Sequence, residues 1–144
     1  MRFRGTLLLL AALAFPAPAS ETIPSENATR VLADRMLDAA TGQGLASAID
    51  VVKPHWPLDP AELDGLKSQY APMWTMVLGR FGRPLGHELV RTEVIGTRFV
   101  RYVYLQRFEK HAVRWKVGFY NPGTGWVFNS FKFDDEIEDL YTAR

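Results

Sequence analysis

The 144-residue sequence predicts an α+β fold, with N-terminal helices packed on one face of a curved four-stranded antiparallel meander. Three observations predict it. The stretch from His87 to Asp134 holds eleven of the eighteen aromatic residues, in apolar runs separated by short turn sequences, as strands are. The stretch before it repeats apolar residues at spacings of three and four, as helices with one buried face do. The two blocks do not interleave, which points to separate helix and sheet layers.

Residues 1–19 stand apart from the fold and read as a signal peptide. Arg2 and Arg4 precede an apolar stretch from Thr6 to Phe15, and Ala17-Pro18-Ala19 offers the small residues needed for cleavage before Ser20. The apolar stretch is shorter than the roughly 20 residues of a spanning helix. An uncleaved anchor is the lesser alternative, and the mature chain is not expected to span a membrane. Residues 20–144 are then one exported domain, periplasmic or secreted. Without Arg2 and Arg4 the 17 basic residues become 15, against 16 acidic ones, so the charge balance offers nothing to nucleic acid. The absence of Cys removes disulfides, thiol catalysis and Cys-based metal sites. Asn27-Ala28-Thr29 matches a glycosylation sequon.

Ser25 is a suitable cap for a first helix, in which Val31, Leu32, Met36, Ala39 and Ala40 share a face and which Gly42 and Gly44 end. A shorter helix is expected from Leu45 to Val52, stopped by Lys53-Pro54. The third has the strongest start, Asp59-Pro60-Ala61-Glu62, followed by an apolar stripe from Leu63 to Phe81. Pro72 falls within the stripe and predicts a kink or break. Gly79, Gly82, Pro84 and Gly86 read as turn.

Strands are expected over 89–95, 98–108, 113–120 and 126–133. A two-residue turn at Gly96-Thr97 sets Glu93 opposite Val100. A two-residue turn at Glu109-Lys110 sets Val100, Tyr102 and Tyr104 opposite Phe119, Val117 and Trp115 on an inner face. Arg101, Val103, Leu105, Arg107, Arg114 and Lys116 then form a wetter outer face. In the last strand, a four-residue loop turns Trp126 and Phe128 inward, whereas a five-residue loop turns in Val127 and Phe131. The outer side of that strand is thus a candidate contact surface. The five carboxylates in Asp134–Asp139 read as the N-terminal end of a short terminal helix. As a cation loop the segment lacks the glycine turn and alternating ligands.

The helical stretch 28–40, the turn around Gly96 and the ending Val113-Arg114-Trp115-Lys116-Val117-Gly118-Phe119-Tyr120-Asn121-Pro122-Gly123-Thr124-Gly125-Trp126 resemble small exported bacterial members of the nuclear transport factor 2-like superfamily, the cone fold shared with ketosteroid isomerase. The resemblance implies a cavity between helices and sheet, often dimerisation through the sheet, and no single activity. Tyr70, Trp74, Tyr102, Tyr104 and Trp115 are the expected cavity lining.

No residues stand out as catalytic, and none as metal ligands. His55, His87 and His111 have no metal-ligand spacing, there is no nucleophile elbow, and no cofactor motif occurs. The expected function is therefore an exported non-catalytic binding or assembly domain, for a small apolar molecule or a protein, with a candidate homodimer surface on the outer sheet face. That dimer requires Phe99, Val103, Leu105 and Tyr120 to be exposed in the monomer. The alternative is a cavity enzyme of isomerase or hydratase type, with Glu93 as base and Tyr102 or Tyr104 as hydrogen-bond donor.

Overall fold

The computed structural model describes residues 20–144. The expected signal peptide lies outside the described residues. Three helices, α1 (Glu26–Gly42), α2 (Leu45–Val52) and α3 (Pro60–Phe81), precede four strands, β1 (Pro84–Ile95), β2 (Phe99–Phe108), β3 (Ala112–Tyr120) and β4 (Val127–Asp134). The strands form an antiparallel sheet in sequence order, with the helices packed against it, so the α+β expectation holds. Among the described residues, no helix is long and apolar enough to cross a membrane.

The caps do what their residue types dictate. The Ser25 hydroxyl accepts from the Ala28 amide at 3.1 Å, and the Asp59 carboxylate accepts from the Ala61 amide at 2.8 Å. One face of α1 buries Thr29, Leu32, Ala33, Met36, Leu37 and Ala40. Thr29 is fully buried and its hydroxyl is bonded to Tyr102, which commits the third residue of the sequon to the core. Helix α3 runs through Pro72 without a break. Pro72 is on the exposed side, where the carbonyl one turn back can meet water, so the missing N–H does not end the helix.

The inner-face register agrees with expectation: Val100, Tyr102 and Tyr104 lie opposite Phe119, Val117 and Trp115, and all six are buried. Burying a large apolar side chain contributes about 1.5–3 kcal/mol, so this face anchors the fold. Elsewhere the register departs from expectation. Strand β1 starts at Pro84, five residues early. Its first position tolerates proline, and two bulges, at Leu85 and Val90, let it follow the curved edge. The β1–β2 turn has three residues, pairing Ile95 with Phe99 and Glu93 with Arg101 instead of Val100. In β4, Phe119 pairs with Phe128 but Gly118 pairs with Ser130, leaving Asn129 as an unpaired extra residue. The bulge absorbs Asn129, so Phe128 and Phe131 both face inward; Trp126 is buried as well, so the pair expected for the four-residue loop is inside, and of the five-residue pair only Phe131 is. The outer side of β4 carries exposed Asn129, Ser130 and Lys132 and is polar, not apolar.

The outer face is drier than expected because the chain after β4 crosses it. Asp139 accepts from Arg91 of β1 through its carbonyl at 3.2 Å and from Arg114 of β3 through its carboxylate at 3.5 Å, and Ile137, Leu140 and Tyr141 border an open depression with Val90 and Leu105. Val103 is fully buried and Arg114 is only 3% exposed. The acidic segment leads into a short terminal 3-10 helix with Glu138 and Asp139 in its first turn, which bears out part of the expectation. Its carboxylates are counter-ions: Asp134 takes Arg114 Nε and Nη2 at 2.9 Å each, with Glu136 at 3.2 Å and Asp139 at 3.5 Å. Only Glu138–Leu140 forms a short 3-10 turn.

Candidate functional site

The residues expected to line a cavity fall into two groups. Tyr102, Tyr104 and Trp115 are core residues whose polar atoms are already bonded. Tyr102 Oη lies 2.8 Å from Thr29 Oγ1 and donates to the Glu26 carbonyl at 3.2 Å. Tyr104 Oη donates to Asp34 Oδ1 at 2.5 Å. Trp115 Nε1 donates to Gln106 Oε1 at 2.7 Å, and Gln106 passes a second bond from Nε2 to Thr41 Oγ1 at 3.2 Å. Burial pushes the acidity of both tyrosines down, raising their pKa values, and for Tyr104 the bonded Asp34 carboxylate adds to the effect. Tyr70 is half-buried, tilted against Phe131 and Phe133 with ring centroids 5.3 and 5.7 Å away.

Glu93 does not join the tyrosines. Its three-residue turn places it on the outer face, where Oε1 accepts from Arg101 Nε at 2.8 Å and Oε2 from Arg91 Nε at 3.4 Å. Partial burial raises its pKa, but the two guanidinium groups outweigh that and hold it below the usual carboxylate value. A base kept ionised by two arginines, on the face opposite Tyr102 and Tyr104, does not form the acid–base arrangement that the enzyme alternative needs. Its outer-face position gives it a lining place in a different depression, about 440 Å³, beside Phe99, Gly118 and Ser130.

Trp74 is the expected site residue that borders a groove of about 560 Å³ between the α1–α2 junction, α3 and the start of β1. Its position follows from local structure. Gly44 joins α1 to α2 at φ 102°, a left-handed conformation suited to glycine, and brings its bare Cα against the indole. One side of α3 contributes Lys67, Ala71, Trp74, Thr75 and Leu78, at helical spacing. The two-residue link to β1 contributes Arg83. Lys67 is ion-paired with Asp50, and Arg83 Nε lies 3.5 Å from Glu109. The groove wall itself contains no carboxylate: two cations, two threonines and Gln43 stand around an apolar floor.

Sequence reasoning singled out Trp74 but missed Lys67, Arg83 and Gly44. It also missed a polar cluster on α1, where Asp34 bonds Arg30 and Tyr104, and Asp38 bonds His87 at 2.7 Å. The signal was present as the i, i+4 spacing of Arg30, Asp34 and Asp38, which puts all three on one helix face. Among the described residues, no group of three His, Asp or Glu is placed to hold a metal. No known protein family, curated protein or solved structure matches the chain.

Proposed function

We propose that this chain is an exported, non-catalytic binding domain whose site is the groove beside Trp74. One observation carries the reading: this groove of about 560 Å³ is walled by hydrogen-bond donors over an apolar floor and has no carboxylate in its lining. Its volume lies within the range of about 300–1,000 Å³ typical of small-molecule sites. Carboxylates elsewhere that chemistry would call on are engaged, Asp34 by Arg30 and Tyr104, Glu93 by Arg101 and Arg91.

The export part of the reading rests on Arg2, Arg4, the apolar stretch and Ala17-Pro18-Ala19. Membership of the nuclear transport factor 2-like superfamily is part of the same proposal. Its support is the order of three helices followed by a curved meander. A protein partner or a second copy on the outer sheet face has less support, because Val103 is buried and Leu105 is half-buried.

The test is amide chemical-shift mapping with a panel of small amphiphiles, neutral, anionic and cationic. Binding in the groove moves the amides of Gly44, Leu45, Thr75 and Leu78 together and saturably. A panel that moves none of them sinks the proposal.

A further inference from the structure

Building on the groove as the binding site, we propose that its ligand is a small carboxylate-bearing amphiphile. Its carboxylate sits between Trp74 Nε1 and the first turn of α2, and its apolar part runs along Ala71 and Leu78.

The argument starts at Trp74. The residue is 7% exposed, yet its Nε1–H makes no hydrogen bond among the described residues. No buried side-chain nitrogen or oxygen is sealed off without a partner there. The indole N–H therefore reaches solvent, and the groove that Trp74 lines is where it does so. A donor that is nearly buried and open only to the groove can exchange its water for an acceptor on a ligand lying there. Trp115 makes the contrast: its indole N–H is closed off by Gln106.

The atoms around that donor are also donors. Gly44 has no side chain to cap α2, and the first turn of α2 has no acidic residue. Leu45 and Ala46 line the groove, and the first-turn N–H groups of α2, which carry the positive end of the helix, have no side-chain cap. The Cβ site of Gly44 is 3.5 Å from Trp74 Nε1, so the indole N–H and the helix start converge on one spot. Thr41 accepts from Gln106, which leaves its O–H to donate. Lys67 and Arg83 stand at the walls.

Charge decides between anions. Asp50 already partners Lys67, and Glu109 lies beside Arg83. Each cation is largely compensated, so the surplus suits one negative charge better than the two of a phosphate monoester. Converging N–H donors match the planar pair of oxygens of a carboxylate. The apolar wall of Ala71, Leu78, Leu45 and Pro84 then requires a hydrocarbon portion.

The experiment follows the Trp74 indole N–H resonance, assigned with Trp74→Phe, during titration of the chain with decanoate, decanol, decyl phosphate and decyltrimethylammonium below their micelle concentrations. Decanoate is expected to shift that resonance downfield and saturably, with affinity at least about tenfold above decanol and no shift from the ammonium compound. Arg83→Gln, at a mostly exposed side chain that leaves the core intact, is expected to weaken decanoate by about three- to tenfold and leave decanol unchanged. Decanol matching decanoate, or decyl phosphate binding more than tenfold tighter than decanoate, overturns the carboxylate assignment while the groove reading stands. If none of the four moves the Trp74 resonance or its neighbours, both fall.

Discussion

The pair of Arg114 and Asp134 allows a quantitative test of how the last segment is held. Arg114 is 3% exposed and donates two parallel bonds of 2.9 Å to Asp134, whose side chain is 17% exposed. Glu136 and Asp139 add contacts at 3.2 and 3.5 Å, but their side chains are 72% and 78% exposed. Asp134→Asn removes the one well-buried counter-charge and leaves a guanidinium shut away from water. Breaking such a pair costs about 3–5 kcal/mol. The low end, about 3 kcal/mol, is expected because two outer carboxylates remain near. Arg114→Met is expected to cost less, about 1–2 kcal/mol, since the stranded carboxylates can turn toward water and the methionine refills the aliphatic space. The double variant should cost less than the sum of the two. Urea unfolding at neutral pH reads this directly: with a slope near 2 kcal/mol/M, the Asp134→Asn midpoint falls by about 1.5 M. An Asp134→Asn protein within about 0.5 kcal/mol of the parent, or strict additivity of the pair, would refute the reasoning.

Two further outcomes follow. Burial alone would raise the pKa of Asp134, but Arg114 overrides it and holds the carboxyl below its ordinary value. A carboxyl lowered in the folded state adds stability that is complete above its unfolded pKa, about 3.9, and is lost as pH falls through the lower folded value. The urea midpoint should therefore drop below about pH 4, and Asp134→Asn should flatten that drop; an equally steep fall in the variant would count against it. Gln106→Leu leaves the Trp115 N–H sealed in the core and Thr41 without its donor. A loss of about 1–3 kcal/mol is expected by chemical denaturation, partly recovered when Trp115→Phe is added, and an unrecovered loss would point to packing alone.

The parts of the fold legible in the sequence were those fixed by neighbours along the chain. The Asp59-Pro60 start of α3 is local chemistry, and the β2–β3 register follows from keeping Arg101 and Lys116 off the aromatic face. The misread parts depended on contacts between distant residues. Gly82 to Gly86 looks like turn, yet Pro84 is allowed because β1 is an edge strand whose first residue needs no ladder bond. One extra turn residue between Ile95 and Phe99 carried Glu93 to the other face. Arg114 belongs by pattern to a wet face, and only the returning C-terminal segment makes it dry. The groove is assembled from the α1–α2 junction, α3 and the entry to β1, so its donors carry no motif. Trp74 was visible as an aromatic on a helix stripe, but nothing in its spacing distinguishes an indole with a bonded N–H from one with an open N–H.

Asn129 belongs to a strand with one residue more than its pairing needs. It fills no place in the core and meets no opposite residue on β3. Without it, Phe128, Phe131 and Phe133 would still alternate correctly along a straight β4. Deleting the residue together with its bulge would therefore leave the same three side chains inside. The residue specifies curvature: a bulged strand bends and twists more strongly than a regular one. Phe128 thereby meets Trp56 and Phe119, with ring centroids 4.7 and 5.4 Å away. Hydrophobic pattern and sheet shape are thus encoded separately in β4, the first by three phenylalanines and the second by a residue count.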